Sequence, residues 1–121
     1  MSLEIAKEAS KVVLEKKGTD LVLLDLKPQE DTCDYQLLCS VENEVHAKTI
    51  SDAIERQCAK AIKIKPVFVE GRTNAQWIAM DYGSIIIHIF LSTVRNYYAL
   101  ERLWPQIQLS FLSDSNGQEG K

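Results

Sequence analysis

The residues of this chain best equipped for chemistry fall in one short stretch, AQWIAMDYGSIIIHIF at positions 75–90, where Trp77, Asp81 and His88 stand among aliphatic side chains. A histidine with an aspartate is the usual means of moving a proton: an imidazole titrates near neutrality and a carboxylate can hold its tautomer. Such a pair acts only beside a positioned nucleophile or a metal. The two histidines, His46 and His88, are far apart in sequence and neither lies in an H-E-x-x-H pattern. The phosphate-cradling G-x-x-x-x-G-K-[ST] and G-x-G-x-x-G loops and the G-x-S-x-G elbow do not occur either. Asp20 and Asp25 come nearest to paired carboxylates, but their spacing is too long for the D-x-D of a metal-dependent nucleotidyl-transfer site. Glu70 before Gly71 has no carboxylate partner at matching spacing. Cys33, Cys39 and Cys58 are odd in number and show no C-x-x-C, so they read as reduced thiols, with Cys39 and Cys58 behaving as small buried hydrophobes. No metal site, cofactor or catalytic residue is indicated.

Taken singly, the three polar or aromatic residues of the stretch have structural readings. Trp77 and Phe90 suit a core, His88 suits a satisfied imidazole on a strand, and Asp81 before a turn glycine suits a side chain bonded to its own backbone. Their arrangement makes them more than that. If Tyr82 and Gly83 form the bend, Asp81 faces Ser84, Ala79 faces Ile86, and Trp77 faces His88. One face of the hairpin then carries Ile78, Met80, Ile85, Ile87 and Ile89, which is plain core. The other carries Trp77, Ala79, Asp81, Ile86, His88 and Phe90, the aromatic-anchor and polar-rim mixture of a docking surface, or of a face covered by a helix.

The elements that must position this hairpin can be read from periodicity. Residues 2–17 place Ile5, Ala6, Ala9, Val12 and Val13 on one helical stripe that Gly18 ends. TDLVLLDL (19–26) is a near-continuous apolar run suited to a strand covered on both faces. YQLLCSV (35–41) gives a second strand, and a helix from about 44 to 61 buries Ile50, Ala53, Ile54, Cys58 and Ala61. KPVFVEG (65–71) gives a third strand, the hairpin a fourth and fifth, and residues 93–104 a last helix capped by Ser92 or Thr93 and closed by Pro105. The predicted architecture is α+β: one mixed sheet of about five strands with flanking helices. Residues 1–104 form a single domain, and 105–121 an extension that is loose at its end.

Composition agrees with a small folded domain. The chain has 121 residues, 45% of them hydrophobic, with a formal charge of −3, so its overall field does not attract phosphate backbones or anionic lipid. MSLEIAKEAS is too charged for a signal peptide and SIIIHIFL too short to cross a bilayer, which predicts a cytoplasmic protein without a membrane partner.

The run VEGRTNAQWIAMDYGSIIIHIFLSTVRNYYALERLW (69–104) resembles the ribosomal silencing factor, or Iojap, family, with its E-G, W, D-x-G, H-x-F and Y-x-L-E-x-L-W elements in order. DYQLLCS and HAKTISDAIE extend the resemblance upstream, to residues 3–104. The chain departs from the family in SVENE (40–44), where a small Thr-Gly-Ser-type loop is usual, and at Tyr82 and Ser84 beside the turn glycine. The resemblance implies a nucleotidyltransferase-like core without the catalytic carboxylates. It also implies binding to the large ribosomal subunit through its protein fourteen, steric blockage of subunit joining, and repression of translation when nutrients are short. On that reading Trp77, Met80, Asp81, Tyr82 and His88 are partner-binding residues, Gly83 is the structural turn, and a homodimer stays open. Two alternatives remain: a nucleotidyltransferase-type enzyme, favoured by fold analogy, and an RNA-binding module in ribosome assembly using Lys60, Lys63 and Lys65, which otherwise read as a solvated face.

Overall fold

In the computed structural model, residues 2–25, 34–94 and 106–107 are described. Helix α1 (Ser2–Glu15) precedes strands β1 (Thr19–Asp25) and β2 (Tyr35–Val41). Helix α2 (Glu44–Ile62) is followed by β3 (Phe68–Glu70), β4 (Trp77–Asp81), β5 (Ile85–Leu91) and β6 (Gln106–Ile107). The strands form one sheet in the order β3-β4-β5-β2-β1-β6. Its central pair, β2 with β5, is parallel, whereas β1–β2, β1–β6, β3–β4 and β4–β5 are antiparallel. The parallel pair is possible because α2 and the β3–β4 ribbon carry the chain back between β2 and β5.

Local chemistry explains where the helices stop and start. α1 ends in a Schellman turn: Lys17 takes φ 71°, Gly18 N–H donates to Val13 O at 2.8 Å, and Lys17 N–H donates to Leu14 O at 3.3 Å. Gly18 is needed there for closeness, because a Cβ on it would lie 2.6 Å from Val13 Cγ1. α2 is capped by Asn43, whose side chain accepts from His46 N–H at 2.8 Å. His46 also fastens one helix to the other. Its Nδ1 accepts from Glu42 N–H at 3.2 Å, so the proton sits on Nε2, which donates to Lys16 O at 2.7 Å.

Both helices pack on one face of the sheet. The main core joins Ile5, Ala9 and Val13 of α1 and Ile50, Ile54 and Cys58 of α2 to Leu23, Leu37, Ile78, Met80, Ile85, Ile87 and Ile89. A second, smaller cluster on the opposite face holds Leu24, Leu38 and Phe90, with Val22, Trp77 and Val94 packed against it. β1 is therefore buried on both faces, as its continuous apolar run predicts; Leu23 and Leu24 point to opposite sides and each is fully buried. Each such side chain contributes roughly 1.5–3 kcal/mol by leaving water. Cys39 and Cys58 are buried, and burial pushes the Cys58 thiol up, away from nucleophilic use. Cys33 lies outside the described residues.

Three expectations change in detail. The hairpin register is offset by two residues: Trp77 faces Phe90, Ala79 faces His88 and Asp81 faces Ile86. The two-residue bend sits one residue later than expected, because Tyr82 N–H closes onto Ile85 O at 2.9 Å, leaving Gly83 and Ser84 at its tip. An offset of two leaves every side chain on the face its parity assigns, so the division between core and mixed faces stands. β3 is confined to Phe68–Glu70, shorter than the 65–71 run. A sixth strand, β6, is added beyond Pro105, where Leu23 and Leu24 of β1 pair with Ile107 and Gln106. Of the last predicted helix only Ser92, Thr93 and Val94 are described, and they are helical; the remainder to Trp104, like the tail from 108, lies outside the described residues.

Candidate functional site

β4 and β5 place Trp77, Ala79, Asp81, Ile86, His88 and Phe90 on the face of the sheet away from α1 and α2, and β3 adds Phe68 opposite Asp81. The face divides along its length. Toward the sheet centre Phe90 is fully buried and His88 is 7% exposed. Toward the edge the face opens, with Phe68 49% exposed and Ala79, Asp81 and Ile86 half-buried. Phe68 is a contribution that the shorter sequence motif does not include; its signal was an aromatic in a strand ending at Glu70-Gly71.

Trp77 stands at the junction of the two zones. Its ring packs 4.9 Å from Phe90 and 5.8 Å from His88, centroid to centroid, and His88 stacks on Phe90 at 5.8 Å with 13° between planes. The indole Nε1–H donates to His88 Nδ1 at 2.9 Å. An indole can only donate, so His88 must accept with a lone pair on Nδ1 and carry its proton on Nε2. Burial favours that neutral form and lowers the His88 pKa to about 4. The imidazole is thus unsuited to gain a proton near pH 7, and its carboxylate neighbour in sequence is engaged elsewhere. Asp81 Oδ1 accepts from Gly83 N–H at 2.7 Å, closing an Asx turn at the hairpin tip. Gly83 holds φ 88°, in the region that favours glycine.

The structure does not gather all the sequence-derived site residues on this surface. Met80 is fully buried and faces the helices, among the main core. Tyr82 is 7% exposed, and burial beside the Cys58 thiol pushes its phenol up, so it also belongs to the helix side. Trp77, Asp81 and His88 share the mixed face; Met80 and Tyr82 support it from beneath. Sequence reasoning also passed over Arg72, which holds the connection before β4 to α2 by donating to Glu55 Oε1 at 2.7 Å and lying 3.3 Å from Asp52 Oδ1. The charge complement across α2 was its only sequence signal.

Paired-carboxylate chemistry finds no geometry here. Asp20 is the second residue of β1 and Asp25 its last, a strand separation on the order of 15 Å, whereas two metal ions acting together sit ~4 Å apart. Among the described residues no group of three or more His, Cys, Asp or Glu side chains could hold a metal ion, and no helix is long and apolar enough to cross a membrane.

Comparison with known proteins places this geometry in context. A family model described as "Ribosomal silencing factor during starvation" matches residues 1–120. The chain is 30% identical over 109 residues to the ribosomal silencing factor of Bacillus subtilis, covering 89% of this chain and 91% of that one. It is 32% identical over 88 residues to the factor of Haemophilus influenzae, covering 73% and 85%. A crystal structure of a protein from Bacillus halodurans superposes with a TM-score of 0.76 at 30% identity, covering 88% of this chain and 99% of that one.

Proposed function

The chain belongs to the family of ribosomal silencing factors, and on that premise we propose that it represses translation by binding the large ribosomal subunit and excluding the small one. Its contact on the subunit is ribosomal protein fourteen, it acts in the cytoplasm when nutrients are short, and it does so by occupancy, without catalysis. The observation that carries this reading is the mixed face of the β3–β4–β5 ribbon. It presents a fixed aromatic at Trp77, an exposed apolar edge at Phe68, and a half-exposed carboxylate at Asp81 on one surface. Apolar anchors with a charged rim are what a protein partner recognises. An acidic chain suits a basic ribosomal protein.

Separated ribosomal subunits provide the test. Added to them before mixing, the protein should lower the yield of joined ribosomes in proportion to its occupancy of the large subunit. At a concentration far below that of the ribosomes it should have almost no effect. Trp77→Ala should lose most of this activity while keeping its melting transition, since truncating a central aromatic anchor typically costs ~2 kcal/mol or more. Progressive loss of joining at sub-stoichiometric protein, dependent on nucleotide or metal, would instead establish an enzyme.

A further inference from the structure

We propose that His88 is a positioning residue for docking: by accepting the indole N–H of Trp77 it fixes that ring in the orientation the partner binds. The inference rests on the docking role of the Trp77 face. His88 and Trp77 are not paired across the hairpin. Ala79 lies opposite His88 and Phe90 opposite Trp77, so the two side chains meet diagonally, and the 2.9 Å bond between them is directional, beyond shared burial. Phe90 closes the arrangement from the third side, stacked on His88 and packed on Trp77.

The two members of this bond differ in exposure in the way a support and an anchor should. His88 is 7% exposed, too deep to present a surface of its own. Trp77 is half-buried, packed against the cluster of Leu24, Leu38 and Phe90 but less enclosed than His88. A side chain left free to change rotamer must be immobilised when the partner binds, and that cost reduces affinity. The bond removes it in advance. The acceptor is dependable because burial keeps the imidazole neutral at physiological pH, with the lone pair of Nδ1 available. The carboxylates on the same face, Asp81 of β4 and Glu70 of β3, lie toward the edge, where Asp81 is held by Gly83 N–H. The other nitrogen of His88, Nε2, is buried and has no hydrogen-bond partner among the described residues. The bond to Trp77 and the stacking on Phe90 together hold the ring's orientation.

Two variants separate positioning from packing. His88→Phe keeps a buried ring to stack on Phe90 but removes the acceptor; His88→Asn gives up the ring but places an amide oxygen near the position of Nδ1. The indole 15N–H resonance of Trp77, assigned by comparison with Trp104→Phe, reads the bond directly, and co-sedimentation with large ribosomal subunits reads its consequence. The expected result is an upfield indole proton in His88→Phe with affinity lower roughly three- to tenfold, and return of both toward wild type in His88→Asn. Thermal melting confirms that each variant is folded; if His88→Phe does not fold, His88→Asn alone must keep both the indole shift and the binding. Wild-type binding together with undiminished binding by folded His88→Phe would overturn the proposal alone. Failure of the wild-type protein to bind large subunits would overturn the docking role, and this proposal with it.

Discussion

His88 shows how a residue with the right type for catalysis can be made unfit for it. Its proton affinity is reduced by burial, and one nitrogen is occupied by an indole that can only donate. The same burial makes it a pH-dependent element of stability. In the unfolded chain the imidazole titrates near 6.5 and in the folded protein near 4. Between those values the unfolded state binds more protons. Stability is full above pH ~6.5 and falls as the pH drops toward 4, by ~3 kcal/mol at most. Urea unfolding at a series of pH values should show this slope in the wild type, and His88→Phe should flatten it between pH ~4 and ~6.5. An equal slope in both proteins would assign the loss to other groups.

At the scale of elements, the position of the proposed docking face depends on two glycines that look equivalent by backbone angle. Gly71 has φ 91° and Gly83 has φ 88°. Their surroundings differ. A Cβ on Gly71 would stand 2.1 Å from the carbonyl oxygen of Trp77, whereas a Cβ on Gly83 would meet nothing within 4 Å. Gly83→Ala should therefore cost only the backbone strain, about 1 kcal/mol. Gly71→Ala adds a collision with the first residue of β4 and should cost at least ~2–3 kcal/mol, besides weakening subunit binding by displacing Trp77. Denaturant midpoints of the two variants compare the effects directly, and similar midpoints would show that the β3–β4 connection yields without strain. Arg72, next to Gly71, ties the same connection to α2 through Glu55 and Asp52. The ribbon is thus held against α2 on the side away from Trp77.

The whole molecule carries a formal charge of −3, and its proposed partner is basic. Complementary fields speed encounter more than they tighten the complex, and they are screened beyond about 8–10 Å at physiological salt. Association with large subunits should slow as ionic strength rises, with dissociation changing less. Asp81→Asn can still accept from Gly83 N–H, so the turn survives while its charge is lost. That variant should associate more slowly than wild type at low salt and show a shallower salt dependence; stopped-flow measurements over a salt series would check it. Unchanged rates would confine Asp81 to its turn.

The sequence by itself determined the element types, the order of helices and strands before the last helix, and the allocation of side chains to faces. Those features follow from periodicity and local capping: Ile78, Met80, Ile85, Ile87 and Ile89 alternate with the mixed set whatever the register, because a strand's period is two. The family was legible for a different reason, since its short elements follow one another at set spacing within a single stretch. What only the tertiary structure decided is non-local. The hairpin register depended on which two residues formed the turn, Gly83 and Ser84 in place of Tyr82 and Gly83, which moved His88 from opposite Trp77 to opposite Ala79 and made their bond diagonal. The short β6 formed because β1 offered it an unpaired edge, a condition absent from its own residues. Met80 and Tyr82, neighbours of Asp81 in sequence, are turned to the helices, because Met80 alternates away from Asp81 along the strand and Tyr82 leaves it at the turn toward Cys58. Local pattern fixes which way a side chain points; only the packed partners decide what it meets there.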